Sequence, residues 1–173
     1  MNVACIGSRD ITEEMRKNLI EIGKFIAFKD WNVVSGNALG ADSAYAEGAN
    51  QVDESKVWLH LPWRTYNKEL IKPGNIIRPF KSEWCELARR RHPIYDNLTQ
   101  GAKKMMDRNA GIITDSDAVL AVLNHKKSGY GGTGHGWRVA GELGKPRFDL
   151  TKMKSLEEVF EFLEDIEKDK KTT

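Results

Sequence analysis

The sequence predicts an α/β protein with a single doubly wound, mostly parallel sheet and helices on both faces. Three observations predict it. Residues 3–6 and 118–123 are continuous apolar runs, and 31–34 is a short one broken by Asn32, the pattern of strands buried on both sides. Amphipathic helix patterns alternate with them, as a parallel sheet requires. Turns rich in small residues follow the strands, at the sheet edge where such folds bind ligands.

The elements follow in order. Val3-Ala4-Cys5-Ile6 is the first strand and ends in Gly7-Ser8-Arg9. A helix starts near Thr12, with Glu13 and Glu14 in its first turn, where carboxylates favour the helix dipole. Met15, Leu19, Ile22 and Ile26 form its apolar stripe. Trp31 to Val34 is the second strand. The turn Ser35-Gly36-Asn37-Ala38-Leu39-Gly40-Ala41-Asp42 leads into a helix over 42–50, with Tyr45, Ala46 and Ala49 facing inward. Residues 57–61 are a third strand, and 62–79 carry turn signals at Pro73-Gly74 and Arg78-Pro79. Residues 53–97 as a whole therefore read as an irregular insertion, with a short helix over 82–91 capped by Ser82. A clearer helix covers 98–113, where Leu98, Ala102, Met105 and Ile112 share a stripe with the polar Asn109. That amide either pairs in the core or reaches a ligand, because burying it unpaired costs about 1–3 kcal/mol. After the strand at 118–123, the turn at 129–136 holds five of the 15 glycines. It opens a helix that Gly144 ends, and residues 146–150 form the last strand. Ser155 and Glu158 make a capping box for a C-terminal helix over about 155–168. Residues 168–173 are expected to fray. The expected organisation is one domain over 1–173.

Composition narrows the function. The chain has 173 residues, 40% hydrophobic and 30% charged, with a net charge of +2. That charge carries no global nucleic-acid signature, so any basic surface is local. Two distant cysteines give neither a disulfide framework nor a zinc site, and no metal is expected. No apolar run spans a membrane and no signal-peptide pattern opens the chain, so a cytoplasmic location is expected.

Chemistry concentrates in the three turns, which a doubly wound sheet gathers at one edge. They offer backbone N–H groups with little bulk, the hydroxyls of Ser8, Ser35 and Thr133, and the guanidinium of Arg9. That donor set suits a phosphate or ribose phosphate. No P-loop ending in Gly-Lys-Ser/Thr is present, and G-x-G-x-x-G occurs only at 129–134, five residues past the strand it should follow directly, which disfavours a P-loop NTPase and a dinucleotide dehydrogenase. Asp42 either caps its helix or meets a sugar hydroxyl or acts as a base; Glu47 is the other candidate catalytic carboxylate. His135 either titrates beside a bound phosphate or sits exposed. Residues 81–108 carry seven Lys/Arg against four acids, a net of +3. Arg89, Arg90, Arg91, Lys103 and Lys104, with Trp84 and Tyr95 between them, form a candidate surface for single-stranded nucleic acid. An ordinary solvated face is the alternative.

Gly7-Ser8-Arg9 and Ser35-Gly36-x-Ala38-x-Gly40-x-Asp42, followed by Arg108-Asn109 and Gly131-Gly132-Thr133, resemble the Rossmann-like core of the DNA-processing protein A (DprA, Smf) family. With His92-Pro93, the set is similar to small DprA-like proteins of bacteriophage genomes. The resemblance covers about residues 1–150. It implies a Rossmann-like sheet and a pocket for a nucleotide or nucleotide-derived ligand. It also implies binding of single-stranded DNA, self-association into a homo-oligomer, and a role as a DNA recombination mediator. The chain is expected to lack the helical module and winged-helix domain that flank this core. The ligand residues it implies are Gly7, Ser8, Arg9, Ser35, Gly36, Ala38, Gly40, Asp42, Arg108, Asn109, Gly131, Gly132 and Thr133. The related LOG enzymes, which cleave the base from nucleoside monophosphates, carry P-G-G-x-G-T-x-x-E. Laid on 130–138, that pattern puts Arg138 in place of its glutamate, which argues against the same hydrolysis. A nucleotide N-glycosidase and a binder of a nucleotide-derived signal remain the alternatives.

Overall fold

The computed structural model describes all 173 residues. Six parallel strands form one sheet in the order β4-β3-β2-β1-β5-β6. These are β1 (Asn2–Gly7), β2 (Asn32–Ser35), β3 (Val57–Leu59), β4 (Ile76–Ile77), β5 (Ala118–Val122) and β6 (Arg147–Asp149). The helices are α1 (Glu13–Phe28), α2 (Ala41–Val52), α3 (Glu83–Arg90), α4 (Gln100–Thr114), α5 (Gly131–Glu142) and α6 (Leu156–Thr172).

The apolar strands are continuous because both faces are covered. On β1, Val3 and Cys5 join a core with α1, α2 and α6, while Ala4 and Ile6 join one with α3, α4 and α5. The chain winds outward from β1 through β2, β3 and β4, then crosses back to place β5 on the other side of β1. Register pairs Ala4 with Val34 on one flank and with Val119 on the other. The change of direction between β1 and β5 is the point where such sheets open a crevice at their carboxyl ends.

The helix α2 lies unusually close to α1. A Cβ added at Gly23 would stand 2.1 Å from the Tyr45 carbonyl oxygen, and one at Gly48 would stand 2.0 Å from that of Ile20. The two helices touch backbone to backbone. Tyr45, fully buried, donates its hydroxyl to the Ile6 carbonyl at 3.3 Å and so ties α2 to the end of β1.

Several expectations change. Residues 53–97 are not wholly irregular: they add the edge strand β4, and Trp84, Leu87 and Ala88 of α3 belong to the core. A two-residue strand with both side chains exposed leaves no periodic signal. Ser82 makes no capping hydrogen bond. The glycines from 131 to 136 are not a turn but the first turns of α5; Gly134 and Gly136 are buried, with no space for a Cβ between Gly134 and the Gly129 carbonyl, while Gly131 and Gly132 are exposed. His135 is fully buried behind them, with Nε2 2.9 Å from the Ala88 carbonyl oxygen, away from any phosphate position. Burial lowers its pKa to about 4. The C-terminal segment does not fray at 168: α6 continues to Thr172, and Lys170 pairs with Asp117 at 2.6 Å. Ser155 caps α6 as expected, but Glu158 reaches back to the Lys154 N–H instead of that of Ser155. No helix is long and apolar enough to cross a membrane.

Candidate functional site

A cavity of about 310 Å³ opens at the carboxyl edge, over the junction of β1 and β5. Three stretches of backbone frame it. The turn after β1 contributes Gly7, Ser8, Arg9 and Asp10; the entry to α2 contributes Ala38 and Asp42; the first turn of α5 contributes Gly131, Gly132 and Thr133. The helix α4 closes it with Arg108 and Asn109.

The turn before α2 takes its shape from Gly40 at φ +84°. A Cβ there would lie 2.4 Å from the Arg9 carbonyl oxygen, so the two framing turns pack without a side chain between them. The Ala41 N–H donates to the Ser8 carbonyl and locks that contact. Asn37 and Asn67 brace the far side: Asn37 donates to the Tyr66 and Asn67 carbonyls, and Asn67 donates back to the Asn37 carbonyl.

Arg108 is buried, an uncommon place for a guanidinium. Its Nη1 donates to the Gly36 carbonyl, its Nε donates to Asn109 Oδ1, and its plane lies 5.5 Å from the Tyr66 ring centroid. Burial lowers its pKa, and the charge of Asp42 opposes that shift. Asp42 is buried too, and its pKa rises from 3.8 to about 6. Burial drives the rise, against the pull of Arg108 and of the Ala38 and Gly36 N–H groups. Asp42 lies inside the first turn of α2, whose N-cap is Gly40, so it is not the helix cap. It accepts instead from the Ala38 N–H at 3.2 Å. Asn109, the polar residue on the apolar stripe, donates to the Gly132 carbonyl at 3.3 Å and joins α4 to α5 beside the cavity.

Ten of the residues singled out by sequence line this cavity: Gly7, Ser8, Arg9, Ala38, Asp42, Arg108, Asn109, Gly131, Gly132 and Thr133. Ser35, Gly36 and Gly40 stand behind it. Ser35 is fully buried, Gly36 supplies the carbonyl that holds Arg108, and Gly40 shapes the turn. Glu47 lies outside the cavity, held by Arg16 at 2.9 Å on the outer side of α2, which removes it as a catalytic candidate. The basic surface divides. Arg89 pairs with Asp96, and Arg90 and Arg91 both pair with Glu142, so these three are occupied. Lys103 and Lys104 make no ion pair and line a second cavity. Sequence reasoning missed Asp10, Asn124, Lys127 and Tyr130, which also line the first cavity. Asn124 and Lys127 sit just past the end of β5, at the same edge as the chosen turns, and that position was the available signal.

The cations of the first cavity, Arg9, Arg108 and Lys127, make no ion pair with a carboxylate. With the N-terminal turns of α2 and α5 they offer an anion several donors at once. No group of His, Cys, Asp or Glu has metal-binding geometry.

Comparison with known proteins agrees with this fold. Residues 1–57 match the model of the family described as DNA recombination-mediator protein A. No curated protein matches the chain. Among solved structures, DNA processing protein A from Helicobacter pylori, solved for its single-stranded DNA binding mode, is 25% identical. It superposes with a TM-score of 0.61 over 86% of this chain and 64% of that one. DprA from Streptococcus pneumoniae is 20% identical, with a TM-score of 0.57 over 86% of this chain and 49% of that one. The structural-genomics target TM1055 shares the fold at 18% identity and a TM-score of 0.54, covering 84% of this chain and 71% of that one. The chain thus spans less than two thirds of the length of either DprA structure. It is DprA-like: its first 57 residues match the DprA family model, and its sheet has the Rossmann-like fold of DprA structures.

Proposed function

We infer that the protein binds single-stranded DNA as a DprA-like recombination mediator, holding a nucleotide of the strand in the cavity at the carboxyl edge. The observation that carries this reading is the meeting of Arg9, Arg108 and Lys127, all free of carboxylate partners, with the N-terminal turns of two helices around one cavity. Such a site favours phosphate. The likeness to a protein studied for single-stranded DNA binding supports the choice of a strand over a free nucleotide.

The test is an anisotropy titration of a labelled oligothymidylate across salt concentrations. Affinity falls as salt rises, with a log–log slope of about −0.7 per phosphate neutralised. Arg9→Ala weakens binding. Arg9 is exposed and its side chain makes one hydrogen bond, to the Tyr66 hydroxyl at 3.5 Å, so the fold is expected to survive its loss. Equal affinity for Arg9→Ala and wild type overturns the assignment.

A second reading rests on Asp42. A carboxyl with a pKa of about 6 inside a nucleotide-sized cavity is suited to proton transfer, and an N-glycosidase would use it. Release of free base from a nucleotide, abolished in Asp42→Asn, would establish that activity.

A further inference from the structure

The second cavity, of about 370 Å³, lies on the α3 side of α4. It shares a wall with the first: Arg108 lines both. Its lining differs in kind. Phe80, Trp84 and Tyr95 supply aromatic surface, and Lys103 and Lys104 supply charge.

Each aromatic is set by its surroundings. The benzo edge of Trp84 presses on Gly111, where a Cβ would stand 2.6 Å from the ring. Phe80 meets Trp84 edge-on at 5.8 Å between centroids, yet stays 60% exposed at the mouth. Tyr95 is fixed by its hydroxyl, which donates to Asp107 at 2.6 Å. The Lys103 ammonium stands 5.7 Å from the Tyr95 centroid. An apolar ring left this open beside two unpaired lysines is a poor arrangement for folding alone and a suitable one for a flat anionic ligand.

The wall behind these rings is closed off from the cavity. Two polar groups in the wall are buried and unsatisfied. Trp84 is 3% exposed and its Nε1–H has no acceptor; His60 is 2% exposed and its Nδ1 has no partner. His60 Nε2 stands 3.0 Å from Asp115 Oδ2, although not aligned as a hydrogen bond. Unpaired buried polar atoms cost stability and are uncommon without a role.

We propose that the second cavity is a subsite for a neighbouring nucleotide of the same DNA strand, its base against Phe80 and Tyr95 and its phosphate on Lys103 and Lys104. Arg108 stands between the two positions and serves as the divider around which the strand turns. The subsite rests on the strand-binding reading above but uses residues that reading does not.

The experiment is the same titration with a labelled oligothymidylate, extended to Phe80→Ala, Phe80→Trp and the double variant Lys103→Ala/Lys104→Ala. Loss of one stacked base weakens binding about 5- to 150-fold, so Phe80→Ala falls in that range and Phe80→Trp retains affinity. The double lysine variant weakens binding and flattens the salt slope by up to about 1.4. These side chains lie at the cavity mouth, and a merely structural role would leave the slope unchanged. If Arg9→Ala weakens binding while the Phe80 and lysine variants match wild type, the subsite is overturned and the first-cavity reading stands. If the Phe80 and lysine variants weaken binding and Arg9→Ala does not, the subsite stands and the first-cavity reading falls. A wild-type protein that binds no strand overturns both.

Discussion

Replacing Asp42 by Asn should make the protein more stable at neutral pH, and only there. Asp42 is buried with its pKa raised from 3.8 to about 6, so the native carboxyl holds its proton more tightly than the unfolded one. Its contribution to stability is fully present below pH about 4 and is lost as pH rises through about 6. A rise of this size corresponds to about 3 kcal/mol of destabilisation at pH 7.5. An asparagine removes the buried charge but offers one carbonyl where the carboxylate offered two oxygens, at a cost of about 1 kcal/mol for the weaker pairing with the Ala38 and Gly36 N–H groups. The net gain is about 2 kcal/mol at pH 7.5, and at pH 4, where only the pairing cost remains, it becomes a loss of up to about 1 kcal/mol. Urea unfolding of both proteins at the two pH values reads it directly. The same substitution strengthens oligothymidylate binding at pH 7.5, because it removes a negative charge from an anion site, and this advantage closes as pH falls below 6. A stability difference between variant and wild type that does not change between pH 4 and 7.5 would refute the reasoning. It would mean that the carboxylate is solvated or paired in a way that cancels its burial.

The wild-type profile alone hides this effect, because His135 runs the other way: its pKa is lowered to about 4 by burial, so its contribution is complete above pH 6.5 and lost as pH falls towards 4. In the Asp42→Asn background stability should drop by about 3 kcal/mol over that window through His135, with His60 and His92, also lowered by burial, acting in the same direction; a flat profile would contradict the burial of His135. Gly23→Ala forces a methyl onto the Tyr45 carbonyl and should cost about 1–3 kcal/mol or more, measured as a lowered urea midpoint with an unchanged slope. Gly40→Ala combines a positive φ with a clash on Arg9, so it should lower both stability and oligothymidylate affinity; a variant that binds as wild type would show that the two framing turns need not touch. Tyr45→Phe removes the hydroxyl from the Ile6 carbonyl and should cost about 1 kcal/mol in the same unfolding assay.

What the sequence discloses follows from which interactions are local. The apolar runs of β1, β2 and β5 are legible because strands buried on both faces must be apolar throughout. The exposed pair Ile76–Ile77 carries no such requirement, and β4 is visible only once Trp58 and Leu59 are placed beside it. The turn residues Gly7 to Arg9 and Ala38 to Asp42 are legible as a site because strand ends and helix starts converge at one edge of any doubly wound sheet. Lys127 escapes notice because it stands in a polar loop with no pattern of its own. The roles of Arg89, Arg90 and Arg91 are set by Glu142 and Asp96, and the Glu142 pairing crosses some fifty residues of chain, which charge counting along the sequence cannot see. Glycine composition also misleads at 131–136: Gly134 and Gly136, which suggest a loop, are buried in a helix that packs tightly at those two positions.

The bare contact between α1 and α2 has a consequence for divergence. One wall of the first cavity is referenced to main chain, through Gly23, Gly48 and Gly40, and no exchange of core side chains can move it without breaking that contact. The opposite wall is spaced by side chains, with Met105, Met106 and Ile112 of α4 lining it. Methionine yields readily to change in size and shape. Substitutions in α4 are therefore the ones expected to retune what the cavity accepts, while the wall that presents the α2 N-terminus is expected to resist change.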